Sequence, residues 1–226
     1  MSRTRSGASR KLLRADLERG WLAAHLWSRL CYAAGVTRRL TLFPPVSDAA
    51  VAFRCTSCGN CCRDLRVAVT HRDVSRLMRA TGEPGEALAE WLAPHEVDMS
   101  REPEPFVELD VGPRLLVLVQ RAGGCRFLSA ELRCGVYEAR PYDCRLYPFD
   151  VDATGVSLLN LTECEHEADA SESVSALEHE ENQRSRELAE YRQLVARWNR
   201  LARHRRRLQH RARGATEFLS FVGLRS

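Results

Sequence analysis

Phe53-Arg-Cys-Thr-Ser-Cys-Gly-Asn-Cys-Cys62 places four cysteines within eight residues, a density of thiols that packing alone does not call for. Cys55, Cys58 and Cys61 follow C-x2-C-x2-C spacing, and Cys62 is adjacent. Two residues between thiols let a tight turn aim both sulfurs at one ion, and Gly59 can supply the positive φ that such a turn needs. Neighbouring thiols without a ligand role would be an oxidation liability, so the run reads as a metal site in preference to a disulfide or redox relay. In extended backbone Cys61 and Cys62 point to different sides, which predicts that they do not grip one small ion together; one serves a second site or simply packs.

Cys125, Cys134, Cys144 and Cys164 each adjoin turn-like sequence, such as Gly123-Gly124 before the first and Gly135 after the second. With the clustered four they make two complete four-thiolate sets. Two chemistries fit: a pair of tetrahedral zinc ions, or one iron-sulfur cluster held by three clustered thiolates and a remote one. The triplet spacing leans to iron, in the ferredoxin manner, although the Cys-Pro pair that closes a ferredoxin run is absent and Cys62 is an addition to it.

The 226 residues, 44% apolar and 28% charged, suit one sizeable soluble domain with appendages. Nine cysteines are too sparse for the disulfide scaffold of a short secreted chain. Asp16, Glu18 and Arg19 interrupt any apolar stretch that could follow the basic N-terminus, so no signal peptide is expected. Trp21 to Val36 contains His25 and Arg29 and falls short of the ~20 apolar residues that span a bilayer. The expectation is a cytoplasmic protein without a membrane partner, where thiols stay reduced and hold metal.

The pattern predicts an α+β fold: a small antiparallel sheet and cysteine-rich loops around a metal site, flanked by an N-terminal helix and a long C-terminal helix. Leu13, Leu17, Trp21, Ala24 and Cys31 recur at helical steps over 9–34, with Cys31 a small core residue, and Pro44-Pro45 marks a linker over 41–47. Val67 to Val69 suggests a strand. Thr70 and Asp73 open a helix that Gly82 stops, and a second short helix runs from about Glu86 to Leu92. Hairpins are expected at Phe106–Leu109 with Leu115–Val119, and at Phe149–Val151 with Val156–Leu161. From Ser173 to about Arg213 the pattern is helical, as one helix or two. Three regions follow: 1–47, an N-terminal helix and linker; 48–168, the cysteine domain; 169–226, an arginine-rich helical segment.

Other residues carry weaker signals. Residues 163–181 hold eight acids and no base, whereas 184–213 hold eleven arginines and two acids. Arg197, Arg200, Arg203, Arg207 and Arg211 would form a basic stripe able to meet phosphates, with a solvated face as the plainer reading. His71 and His166 are read as non-ligands. Arg140 and Arg145 either brace loop carbonyls or offset thiolate charge.

The blocks F-x-C-x2-C-x2-C-C, Cys125-Arg-Phe-Leu128, Cys134-Gly-Val-Tyr137 and Arg140-Pro-Tyr-Asp-Cys-Arg-Leu-Tyr-Pro-Phe149 resemble the YkgJ-type cysteine cluster family. The resemblance implies a domain that chelates zinc or iron, through Cys55, Cys58, Cys61, Cys62, Cys125, Cys134 and Cys144, with Cys164 fitting a late family cysteine. It extends to a cysteine-rich region of flagellin lysine N-methylases. Three function classes follow: a metal-binding protein holding iron, as a 4Fe-4S cluster, or zinc; a metal-dependent protein-modifying enzyme; and a zinc-stabilised nucleic-acid-binding module. A metal ion is the expected partner, with a protein partner compatible and nucleic acid the less favoured one. The residues identify no catalytic group.

Overall fold

Gly112-Pro-Arg-Leu-Leu-Val-Leu118 forms the strand on which the fold is organised. In the computed structural model, which describes residues 50–97, 105–159, 164 and 166–225, Leu115 to Leu118 are all buried. The alternation of a strand sends Leu116 and Leu118 into the main core, and Leu115 and Val117 into a smaller cluster with Leu92. Both faces are covered, so the run is continuously apolar. The predicted helix over 9–34, Cys31 and the linker over 41–47 lie outside the described residues.

In chain order the strands are β1 (Ala50–Cys55), β2 (Ala89–Leu92), β3 (Val107–Leu109), β4 (Gly112–Leu118), β5 (Gln120–Arg121), β6 (Gly124–Cys125), β7 (Phe149–Asp152), β8 (Gly155–Leu158) and β9 (His166–Ser173). The α-helices are α1 (Asn60–Asp64), α2 (His71–Thr81), α3 (Gly85–Leu88), α4 (Tyr142–Leu146), α5 (Val174–Arg207) and α6 (Ala215–Phe221). The α+β class is thus as the sequence predicts, with small antiparallel sheets and one long C-terminal helix. The central sheet runs β2-β4-β3; β1 pairs with β9, β5 with β6 and β7 with β8.

Both predicted hairpins form, with β3 facing β4 and β7 facing β8. Val67 to Val69 makes only an isolated bridge, Ala68 to Val117. The helix expected over 86–92 stops at Leu88, because Ala89 to Leu92 is taken as a strand against Leu115 to Leu118. Burial of Leu92 and Ala89 on the sheet outweighs a helical continuation there.

Helix α2 begins where Thr70 and Asp73 cap each other reciprocally, and ends at Gly82 with φ 72. Val74 and Leu77 bury its inner face. Helix α5 is one helix of 34 residues, and its Tyr191, Val195 and Trp198 join Phe218 of α6 in the main core. Asn199 of α5 clips the edge of β3 by accepting from the Glu108 N–H at 2.8 Å and donating to the Phe106 carbonyl at 2.8 Å. That satisfies the donor of the strand's middle residue and the acceptor just before the strand. A second cluster joins Phe53, Leu146, Phe149 and Leu177, with the Phe53 and Phe149 rings edge to face at 4.9 Å. The cysteine loops touch both: Cys125 packs on the main core and Cys164 on the second cluster.

Candidate metal centre

Strand β1 ends at Cys55, and the chain then turns through Ser57 (φ 58) and Gly59 (φ 75) into α1. Gly59 therefore adopts the left-handed backbone expected of it. The Ser57 N–H donates to Cys55 Sγ at 3.4 Å, and the Phe127 N–H makes the corresponding bond, two residues on, to Cys125. Arg63 braces the turn by donating to the Cys58 carbonyl at 3.3 Å and to Asn60 Oδ1 at 3.2 Å.

Cys61 and Cys62 lie in a helical turn, not in extended backbone, and their sulfurs are 4.0 Å apart. The expectation that they face opposite sides is overturned: five residues wound into α1 bring the two thiols into contact. Their protons are unequally held. The neighbouring Cys62 thiol draws the Cys61 thiol down to about 7, helped by backbone N–H groups and the Arg140 charge against the opposing effect of burial. Cys62 is pushed up, first by that same bond and then by burial.

The downstream cysteines arrive on short, tightly bonded pieces. Gly124, at φ 126, lets β6 lie directly on α1: a Cβ there would stand 2.6 Å from the Cys62 carbonyl oxygen and 2.7 Å from Arg63 Cα. Cys125 is the next residue. Cys134 bridges to Leu128, whose N–H donates to the Cys125 carbonyl at 3.1 Å, so the two cysteines share one knot of backbone. Arg126 ties that knot to the body through the Ala87 carbonyl and both Glu83 carboxylate oxygens. Cys144 sits in α4 next to Arg145, which donates to the Arg140 carbonyl at 3.0 Å and the Glu138 carbonyl at 2.5 Å.

Cys164 comes from the β1–β9 side. Cys55 is the register partner of His166, which sets Cys164 two residues from the end of the β1–β9 ladder. Burial raises the Cys164 thiol to about 11, with the nearby Cys58, Cys55 and Cys61 thiolates adding to the rise. The Cys144 thiol is also raised, by burial first and then by Cys125, Asp143, Cys134 and Cys61. Burial raises Cys125 too, with Cys134 and Cys61 contributing. All eight predicted cysteines thus fall in one electrostatically connected region. None is in a disulfide. Among the described residues no group of three or more Cys, His, Asp or Glu side chains is placed to hold a metal ion.

Arg145 takes the bracing role weighed for it. Arg140 is different, lying 3.8 Å over the Tyr137 ring with its charge felt at Cys61. His71 is buried in a stack on Tyr191, and Arg72, Glu190 and Asp73, not thiols, are the charges that act on it. His166 meets Cys55 through backbone pairing. In the basic stripe, Arg197 lies over the Phe221 ring and Arg211 faces Glu217 at 3.8 Å, whereas Arg200, Arg203 and Arg207 are exposed. Sequence reading missed the Cys61–Cys62 contact and the β1–β9 pairing; alternation in 50–55 was the available signal for the latter.

Thiols carried on turns and strand ends, half-buried except for the exposed Cys55 and none in a disulfide, define a cysteine-rich domain in class. The chain belongs to the CxxCxxCC family, described as a "putative zinc- or iron-chelating domain", which matches residues 54–174. No curated protein and no solved structure matches the chain. Among the described residues no helix is long and apolar enough to cross a membrane.

Proposed function

We propose that this protein binds iron, as an iron-sulfur cluster, through Cys55, Cys58 and Cys61 with Cys164 as the remote fourth thiolate. The observation that carries the reading is the β1–β9 register, in which Cys55 opposes His166 and so brings Cys164 beside the C-x2-C-x2-C turn. Three clustered thiolates and a distant fourth are the donor arrangement of such clusters. The donors fit chemically: the four are soft sulfur ligands outside any disulfide, and an amide already points at Cys55 Sγ. When bound, the cluster would supply one-electron chemistry or a Lewis-acidic iron. The chain's own part is to hold the sulfurs, to shield them with Phe53 and Phe149, and to place the Arg140 charge near an anionic centre.

Zinc in the same four positions would make the domain a structural staple instead. Anaerobic purification, elemental analysis and a visible spectrum decide between them. Iron with sulfide and a broad visible absorption is the expected result; a colourless protein with zinc alone overturns the cluster, and a protein without metal overturns chelation altogether.

A further inference from the structure

Helices α2 and α5 line a groove of about 440 Å³ that no cysteine enters. Each helix contributes one face with i, i+3, i+4, i+7 spacing, which runs from Arg72 to Arg79 on α2 and from Gln183 to Glu190 on α5. The two faces run antiparallel and are joined as a ladder of ion pairs. Arg72 donates to both Glu190 carboxylate oxygens, at 2.9 and 3.2 Å. One turn on, Arg76 donates to both Glu187 oxygens, at 2.6 and 2.7 Å. The next step along each helix sets Arg79 against Gln183, which has no charge to offer, and Arg186 brings another guanidinium to the groove. The nearby acids are engaged elsewhere: Glu83 with Arg126, Glu180 with Arg145 and Glu181 with Arg184. Arg79 and Arg186 are both exposed, and among the described residues neither has an acidic partner.

We propose that this groove binds a small phosphate monoester, whose phosphate is held by Arg79 and Arg186. Two guanidinium groups without acids call for two negative charges. A phosphate monoester carries about −1.5 to −2 near pH 7, whereas a carboxylate carries only one, and the planar guanidinium fork matches its oxygens. Glu187 and Glu190 stand in the same groove and would repel a second phosphate alongside the first, which favours a single anionic group over a nucleic-acid backbone. The rest of the lining defines the ligand's body. The volume falls within the roughly 300–1,000 Å³ of small-molecule sites, yet no lining side chain is aliphatic or aromatic. Nothing there would stack a base or seat an apolar peptide side chain. Ser75, Gln183 and the two carboxylates offer hydrogen bonds instead, so the body is hydroxylated, as in a sugar phosphate. The site is independent of what the cysteines bind.

The test titrates the full chain, as purified, with glucose 6-phosphate, inorganic phosphate and a peptide carrying one phosphoserine, followed by calorimetry. Saturable binding of glucose 6-phosphate is expected, the tightest of the three, and this measurement on the wild type does not depend on any variant folding. Arg79→Gln and Arg186→Gln should each weaken it by about tenfold or more, the effect of losing a hydrogen bond to a charged group. Gln183→Glu should weaken it as much without touching an arginine, because it gives Arg79 the carboxylate that continues the ladder. Arg203→Gln, exposed and outside the groove, should change nothing, and metal content should be the same in every variant. Absence of binding by the wild type, or equal affinity in the wild type, Arg79→Gln and Gln183→Glu, overturns the site. Tighter binding of the phosphoserine peptide overturns the small-molecule assignment, and inorganic phosphate binding as tightly as glucose 6-phosphate overturns the hydroxylated body.

Discussion

Gly124 and Cys62 meet backbone to backbone, so closely that a methyl group on Gly124 would stand 2.6 Å from the Cys62 carbonyl oxygen. The position also requires φ 126, which L side chains rarely adopt. Gly124→Ala therefore combines a clash with backbone strain and is expected to cost about 2 kcal/mol or more. The metal content of the domain should fall with it. An unchanged thermal midpoint with full metal content would show that β6 does not need to rest on α1.

Asp73 links the start of α2 to the start of α4. Its buried carboxylate accepts from the Thr70 N–H at 2.8 Å, the Thr70 hydroxyl at 2.7 Å and the Tyr142 N–H at 3.3 Å, and it pairs with Arg76. Asp73→Ala strands several of these partners and is expected to cost about 3 kcal/mol. Thr70→Ala removes the hydroxyl's two bonds to Asp73, accepted from its N–H and donated to its carboxylate, but leaves the Tyr142 and Arg76 contacts, and should cost about 1 kcal/mol. Denaturant unfolding of the two variants checks the ranking. Equal losses would mean that the Tyr142 and Arg76 contacts contribute little.

Local signals made much of this legible. The Thr70 to Asp73 cap, the Gly82 stop and the two hairpins are short-range features, written in the residues that form them. The reading over 86–92 went wrong because Ala89 to Leu92 obeys a non-local partner, β4, and propensity yields to burial. The site divides the same way. The left-handed turn at Gly59 could be read from its neighbours. That Cys61 and Cys62 touch depended on α1 winding a single turn, and that Cys164 approaches Cys55 depended on a ladder spanning over a hundred residues of chain.

Arg140 should matter through its charge. Its guanidinium lies 3.8 Å over the Tyr137 ring, and its field favours the Cys61 thiolate. Arg140→Gln is expected to weaken metal retention roughly tenfold, in the range found for residues that support a ligand from behind, and Arg140→Lys should recover part of it. Competition with a chelator of known affinity measures both. Equal retention in all three proteins would reduce Arg140 to a packing residue.

His71 carries a pH dependence of opposite sense to an ion-paired histidine. It is buried in a stack on the Tyr191 ring, 5.9 Å between centroids, with Glu190 3.8 Å from Nε2 and Arg72 and Asp73 close by. Burial and the Arg72 charge lower its pKa against the weaker pull of Glu190 and Asp73, so the folded chain resists a proton that the unfolded chain accepts. Its contribution to stability is complete above the ordinary histidine value of about 6.5 and is lost as pH falls from there toward the lowered folded value, by at most about 1.4 kcal/mol per pH unit. His71→Phe keeps the stacked ring and removes the titration. Between about pH 7.5 and 5.5 the thermal midpoint of the wild type should therefore fall further than that of the variant, while acid effects on the thiolates cancel in the comparison. Parallel curves would mean that His71 takes up its proton as readily in the folded chain as in the unfolded one.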